Sequence, residues 1–195
     1  MTIDTGAEWL APVHYLPGVV PALADASRDS ASPDSFDAAV DGEDRERAGD
    51  LAVRALARRG LSRREVEREL RSHGLDESAI SAEADRLEQL GWVDDLALAQ
   101  DLVARLQERM GYGRQAIAAE LTRRILAPAA IEYALDLIDS SEELARAMDL
   151  AERRAERLRG MDLQTARRRL TGYLARRGYG GSTVRSAVDH AIPAD

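Results

Sequence analysis

Three histidines, two carboxylate pairs, two glycine-rich turns and 27 arginines are the side chains in this sequence that could do chemistry. An active site needs an acid, a base, a nucleophile or a ligand set drawn together. His14, His73 and His190 share no spacing that would hold a metal, and the last two fall near expected helix ends. Asp94 with Asp95 and Glu142 with Glu143 stand where helices are expected to begin. Acidic side chains belong there because they accept bonds from orphan amides and suit the helix dipole. The turns MGYGRQ from Met110 and RGYGGS from Arg177 resemble phosphate-cradling loops, but a Walker loop needs a lysine and the chain has none. With no cysteine there is no disulfide, thiolate metal site or cysteine nucleophile. The residues therefore predict no catalytic centre, no cofactor and no metal, and the chain is not read as an enzyme.

What remains is the arginine. Residues 1–50 carry 11 acidic against 3 basic side chains, so the formal charge of −8 belongs to that segment and the rest of the chain is balanced. Between Arg146 and Arg185 the balance breaks: 11 arginines face four carboxylates, Asp149, Glu152, Glu156 and Asp162, for a local charge of +7. Arg153, Arg154 and Arg157 fall on neighbouring turns of one expected helix, and Arg167, Arg168, Arg176 and Arg177 on the next. A one-sided basic surface suits phosphate backbones or an acidic protein groove, and these seven arginines are the candidate binding residues. The cluster Arg58 to Arg71 is interleaved with Glu65, Glu67 and Glu69, as a solvated face would be.

The elements that must position these side chains are helices. Ala, Leu and Arg dominate, aromatics make up 4%, and apolar residues recur at helical spacing from about Asp44 onward. Ser62 with Glu65 forms a capping box, and Asp76 caps the helix that follows. The stretch GWVDDLALAQ, Gly91 to Gln100, reads as a joint: Gly91 closes one helix in the left-handed conformation and Asp94 caps the next. The paired aspartates, Asp94 and Asp95, are thereby expected to fix how neighbouring units are angled, and loss of the Asp94 cap to disturb it. Shifting the chain by 51 residues lays Arg63 on Arg114, Val66 on Ile117, Leu70 on Leu121 and Leu75 on Leu126, and a shift of 104 lays Arg63 on Arg167 and Gly74 on Gly178. One three-helix unit is thus repeated three times, over 43–91, 92–139 and 140–195, predicting an all-α, elongated and curved array. Residues 1–42 hold four of six prolines and are read as an acidic, largely disordered extension, with an apolar patch between Trp9 and Val20. No stretch has the length to span a bilayer, so no membrane association is expected and the reading is a cytoplasmic monomer.

The joint and the repeat together resemble the RecX family of bacterial regulatory proteins. The signature positions are Gly91, Trp92, Val93, Asp94, Asp95 and Ala99, and the resemblance runs from about Asp50 to Ile192. Tryptophan stands at residue 92 where that family more often has tyrosine or phenylalanine. The resemblance implies a negative regulator of the RecA recombinase. Such a protein would lie along the helical groove of the RecA filament on single-stranded DNA, lowering ATP hydrolysis, strand exchange and coprotease activity, with roles in DNA repair and the SOS response. The competing reading is a helix-turn-helix-like module acting directly on nucleic acid, although base readout favours Asn, Gln or Arg at the start of a recognition helix, and here only arginine is plentiful.

Overall fold

The computed structural model describes residues 33–193, and within them nine helices and no strand. The apolar patch between Trp9 and Val20, and the part of the expected disordered extension up to residue 32, fall outside that range. Helix α1 spans Pro33–Leu56, α2 Arg63–Ser72, α3 Glu77–Gln89, α4 Asp95–Met110, α5 Arg114–Arg123, α6 Pro128–Asp136, α7 Ser140–Glu156, α8 Leu163–Arg176 and α9 Gly181–Ala191. Helix α1 thus begins at Pro33, inside the segment set aside as an extension. A helix that packing has already nucleated can be extended at its end, because each added residue gains a hydrogen bond without a new nucleus.

The helices form three consecutive triplets, and the broad helix–helix contacts all fall within a triplet. In each, the first helix lies against the third: α1 on α3, α4 on α6 and α7 on α9. Each triplet has its own core. The first gathers Ala48, Ala52, Val66, Leu70, Ile80 and Leu87, the second Ala99, Leu102, Ile117, Leu121 and Ala134, and the third Ala147, Ala151, Leu170, Leu174, Val184 and Ala187. Alanines on the first helix let the third approach closely, and a leucine or isoleucine from the second fills the remaining space. Trp92 and Val93, just past Gly91, pack on the core of the first triplet.

One polar pair recurs in every triplet. Arg63 reaches Asp85 at 2.6 Å, Arg114 reaches Asp136 at 2.9 Å, and Arg167 bonds Asp189, in each case across 22 residues of sequence. The pair ties the second helix of a triplet to its third. The same position of each repeat also demands one backbone conformation. Gly74 and Gly178, just past the second helix of the first and third triplets, have φ of 72° and 79°. The second triplet has Ile125 there and still takes φ of 47°. A β-branched residue is strained in that region, so the fold holds the turn even without its glycine.

Candidate functional site

Two joints bond each triplet to the next. At the first, Asp94 accepts from the amides of Leu96 and Ala97, both at 2.9 Å, and caps α4. Asp95 turns the other way: one carboxylate oxygen accepts from the Arg63 amide at 2.9 Å and the other from the Ala127 amide at 2.7 Å. A single side chain therefore caps α2 in the first triplet and the entry to α6 in the second. Of the two aspartates of the joint, Asp95 thus makes the bonds between units, while Asp94 caps its own helix. An N-cap side chain folds back over its own helix, and the residue after it is free to cross. Gly91 closes α3 with φ of 70°, and Ala99 is fully buried against the second core.

Beside Asp95 lies a buried ion pair. The Arg124 guanidinium forks onto both oxygens of Glu65 at 2.8 and 2.7 Å, Arg59 adds bonds at 3.2 and 3.1 Å, and Arg124 also donates to the Gly60 carbonyl at 2.7 Å. Ser62 completes its capping box with Glu65 and donates its hydroxyl to the Arg124 carbonyl at 3.0 Å. Burial on its own would raise the Glu65 carboxyl, but the bonds from Arg124, Arg59 and the Ser62 amide outweigh it and hold the group below the usual carboxylate range. Glu65 is 4% exposed and Arg124 12%, so the carboxylate is buried and depends on the half-buried guanidinium for its partner.

The second joint repeats the device with other residues. Glu143 accepts from the Arg114 amide at 2.7 Å, capping α5 as Asp95 caps α2, while Glu142 pairs with Arg146 at 3.3 Å. The two glycine-tyrosine-glycine turns meet here. The Gly113 amide donates to the Arg177 carbonyl at 2.8 Å and the Gln115 amide to the Gly178 carbonyl at 3.0 Å. A Cβ on Gly178 would fall 2.2 Å from the Ala116 nitrogen, so only glycine allows the turns to touch. These turns, which the lack of lysine had already ruled out as Walker loops, join two triplets.

The seven candidate arginines divide by what holds them. Arg157, Arg168 and Arg176 are exposed and have no carboxylate within 4.0 Å among the described residues. Arg153 is exposed and paired with Asp149 at 2.6 Å. Arg167 is committed inside its triplet, to Asp189 and to the Ile192 carbonyl. Arg154 and Arg177 lie over the ring of Tyr173, at 5.2 and 4.8 Å from its centre, and Arg177 also donates to the Met110 carbonyl. Cation–π contact fixes a guanidinium without neutralising it, so the third triplet keeps an unbalanced positive face. Sequence reasoning missed Glu65, Arg124 and Glu143 as joint residues. It also missed the arginine–aspartate pairs, although their constant spacing of 22 residues was there to be read. Among the described residues no group of three potential ligands converges to hold a metal, and no helix is long and apolar enough to cross a membrane.

Comparison with known proteins places these features in a lineage. Residues 141–188 match the family model described as RecX, third three-helix domain. The regulatory protein RecX of Stenotrophomonas maltophilia strain K279a is 38% identical over 138 residues, covering 70% of this chain and 82% of that protein. The regulatory protein RecX of Mycolicibacterium vanbaalenii is 36% identical over 140 residues, covering 69% and 76%. Among solved structures, RecX from Lactobacillus salivarius superposes with a TM-score of 0.72 at 21% identity, over 77% of this chain and 97% of that one. A second, described as regulatory protein RecX, gives 0.73 at 16% identity, over 82% and 80%. At those identities the two structures speak to the fold.

Proposed function

The chain belongs to the RecX family of regulatory proteins, and from that premise we propose that it is a negative regulator of the RecA recombinase. It binds the RecA filament on single-stranded DNA, lies along the filament's helical groove, and slows ATP hydrolysis, strand exchange and coprotease activity. The observation that carries this reading is the pairing of two rigid joints with a one-sided charge. A filament groove is a long, repetitive surface, and a ligand that follows it needs consecutive units held at fixed angles. Asp95, the Glu65–Arg124 pair, Glu143 and the apposed glycine turns supply that rigidity. The third triplet supplies attraction, with Arg157, Arg168 and Arg176 free of described carboxylates and Arg153, Arg154 and Arg177 around them. In this reading Arg167 acts indirectly, by keeping α8 and α9 together.

Co-sedimentation with RecA filaments assembled on single-stranded DNA tests the reading. The chain is expected to pellet with the filament, and the triple charge reversal of Arg153, Arg154 and Arg157 to Glu is expected to weaken that binding and flatten its dependence on salt. A chain that stays in the supernatant at low salt overturns the proposal. The cellular setting that goes with it is DNA repair and homologous recombination in the cytoplasm.

A further inference from the structure

We propose that the cleft between the second and third triplets is a binding site for the phosphodiester backbone of a single-stranded nucleic acid. The cleft has a volume of about 410 Å³ and is lined by Arg109, Met110, Tyr112, Tyr173, Arg176 and Arg177, with no carboxylate in its wall. Three guanidiniums reach it from two different triplets: Arg109 from the last turn of α4, and Arg176 and Arg177 from the end of α8. Cations at helix ends suit the dipole of each helix by themselves. Convergence of the two ends is a further step, and it is imposed by the contact between Gly113 and Gly178 described above.

The way these cations are held points to an anion as the missing partner. Arg109 and Arg176 have no carboxylate within 4.0 Å among the described residues, and Arg177 is fixed by the Met110 carbonyl and the Tyr173 ring. Arg154 lies over that ring too, which carries the positive surface from the cleft onto α7. Arginines steadied by a ring and a carbonyl keep their full charge and their planar fork, the geometry that accepts phosphate oxygens in pairs. Tyr173 already carries guanidiniums over its ring, so it offers no open platform for a base. The three guanidiniums of the cleft therefore grip backbone. The cleft's volume of about 410 Å³ falls in the roughly 300–1,000 Å³ range of pockets that hold one small molecule, room for a short stretch of one strand's backbone. Because its walls belong to two triplets, a bound strand also clamps the second joint.

This assignment deepens the proposed regulation by giving part of the basic surface to DNA and not to the recombinase, so its test omits the recombinase. Fluorescence anisotropy of a labelled oligothymidylate with the full chain is expected to show binding that weakens steeply as salt rises. The double variant Arg109→Gln, Arg176→Gln is expected to lose about tenfold in affinity or more, with a salt slope smaller by about 1.4 for two lost phosphate contacts. Tyr173→Leu leaves the charge unchanged yet should weaken binding, whereas Tyr173→Phe, which keeps the ring, should bind as the wild type does. Circular dichroism confirms that each variant is folded. Absence of binding at low salt, or a double variant that binds as tightly as the wild type, overturns the site. Competition by oligoglutamate as effective as by oligothymidylate overturns it too, in favour of an acidic protein segment. Loss of filament binding in the double variant with oligothymidylate binding intact gives the cleft to the recombinase, which overturns this site and leaves the regulatory reading standing. A double variant that loses oligothymidylate binding but still binds filaments supports the site.

Discussion

Asp94 and Asp95 are adjacent carboxylates with different work. Asp94→Ala removes one helix cap and is expected to cost about 1 kcal/mol. Asp95→Ala strips the Arg63 and Ala127 amides together and is expected to cost roughly 2 kcal/mol on the same basis. Urea denaturation of the two variants checks the order, and an equal cost would contradict the bridging role. The repeated glycine offers a second comparison at one equivalent position. A Cβ on Gly74 meets nothing within 4 Å, so Gly74→Ala should cost only the left-handed backbone penalty of about 1–2 kcal/mol. Gly178→Ala adds a clash with the backbone of Ala116 and should cost on the order of 3 kcal/mol or more. Denaturation midpoints that fall equally for both would show that the glycine turns do not depend on close approach. The caps at Ser62, Asp76 and Asp94 were legible in the sequence because a cap is local, with partners two or three residues away. The reach of Asp95 across 32 residues, and of Glu143 across 29, was not, because nothing in local spacing says which helix end will lie opposite.

At the level of elements, the Glu65–Arg124 pair shows what a buried charge does between helices. Removing Glu65 leaves Arg124 uncompensated at 12% exposure, so Glu65→Ala is expected to destabilise the chain by about 3 kcal/mol. The pair also predicts a pH dependence. The folded state holds the Glu65 carboxyl below its ordinary value, so the unfolded state binds the proton more readily. Its stabilisation is complete above the ordinary glutamate value of about 4.3 and is lost as pH falls through the lower, folded value. Thermal melts from neutral to acid pH should show the wild type losing more stability than Glu65→Gln, and parallel losses would contradict the assignment. The order of helices and the three cores were legible, since apolar spacing and the shifts of 51 and 104 residues specify them. The start of α1 at Pro33 was not, because residues 33–42 share the proline and aspartate content of the stretch before them, and a helix nucleated downstream can extend into such residues without a new nucleus.

The whole molecule is a series of three small cores linked by polar joints, and that construction explains both its repetition and its asymmetry. Each triplet buries its own leucines and alanines, so the joints are free to be polar and directional. Charge then separates along the array: arginines of the first triplet are largely answered by Glu65, Glu67, Glu69 and Glu77, while those at the end of α7 and on α8 are answered less often. The excess was visible as a count in the sequence. Which arginines face outward was not, because Arg167 and Arg168 differ by one position on a helix and only one of them meets Asp189. The proposed restraint of a recombinase filament by this array is tested by the steady-state rate of ATP hydrolysis by RecA on single-stranded DNA as the purified chain is added. The rate is expected to fall at or below one chain per recombinase subunit, and an unchanged rate at saturation would contradict the account.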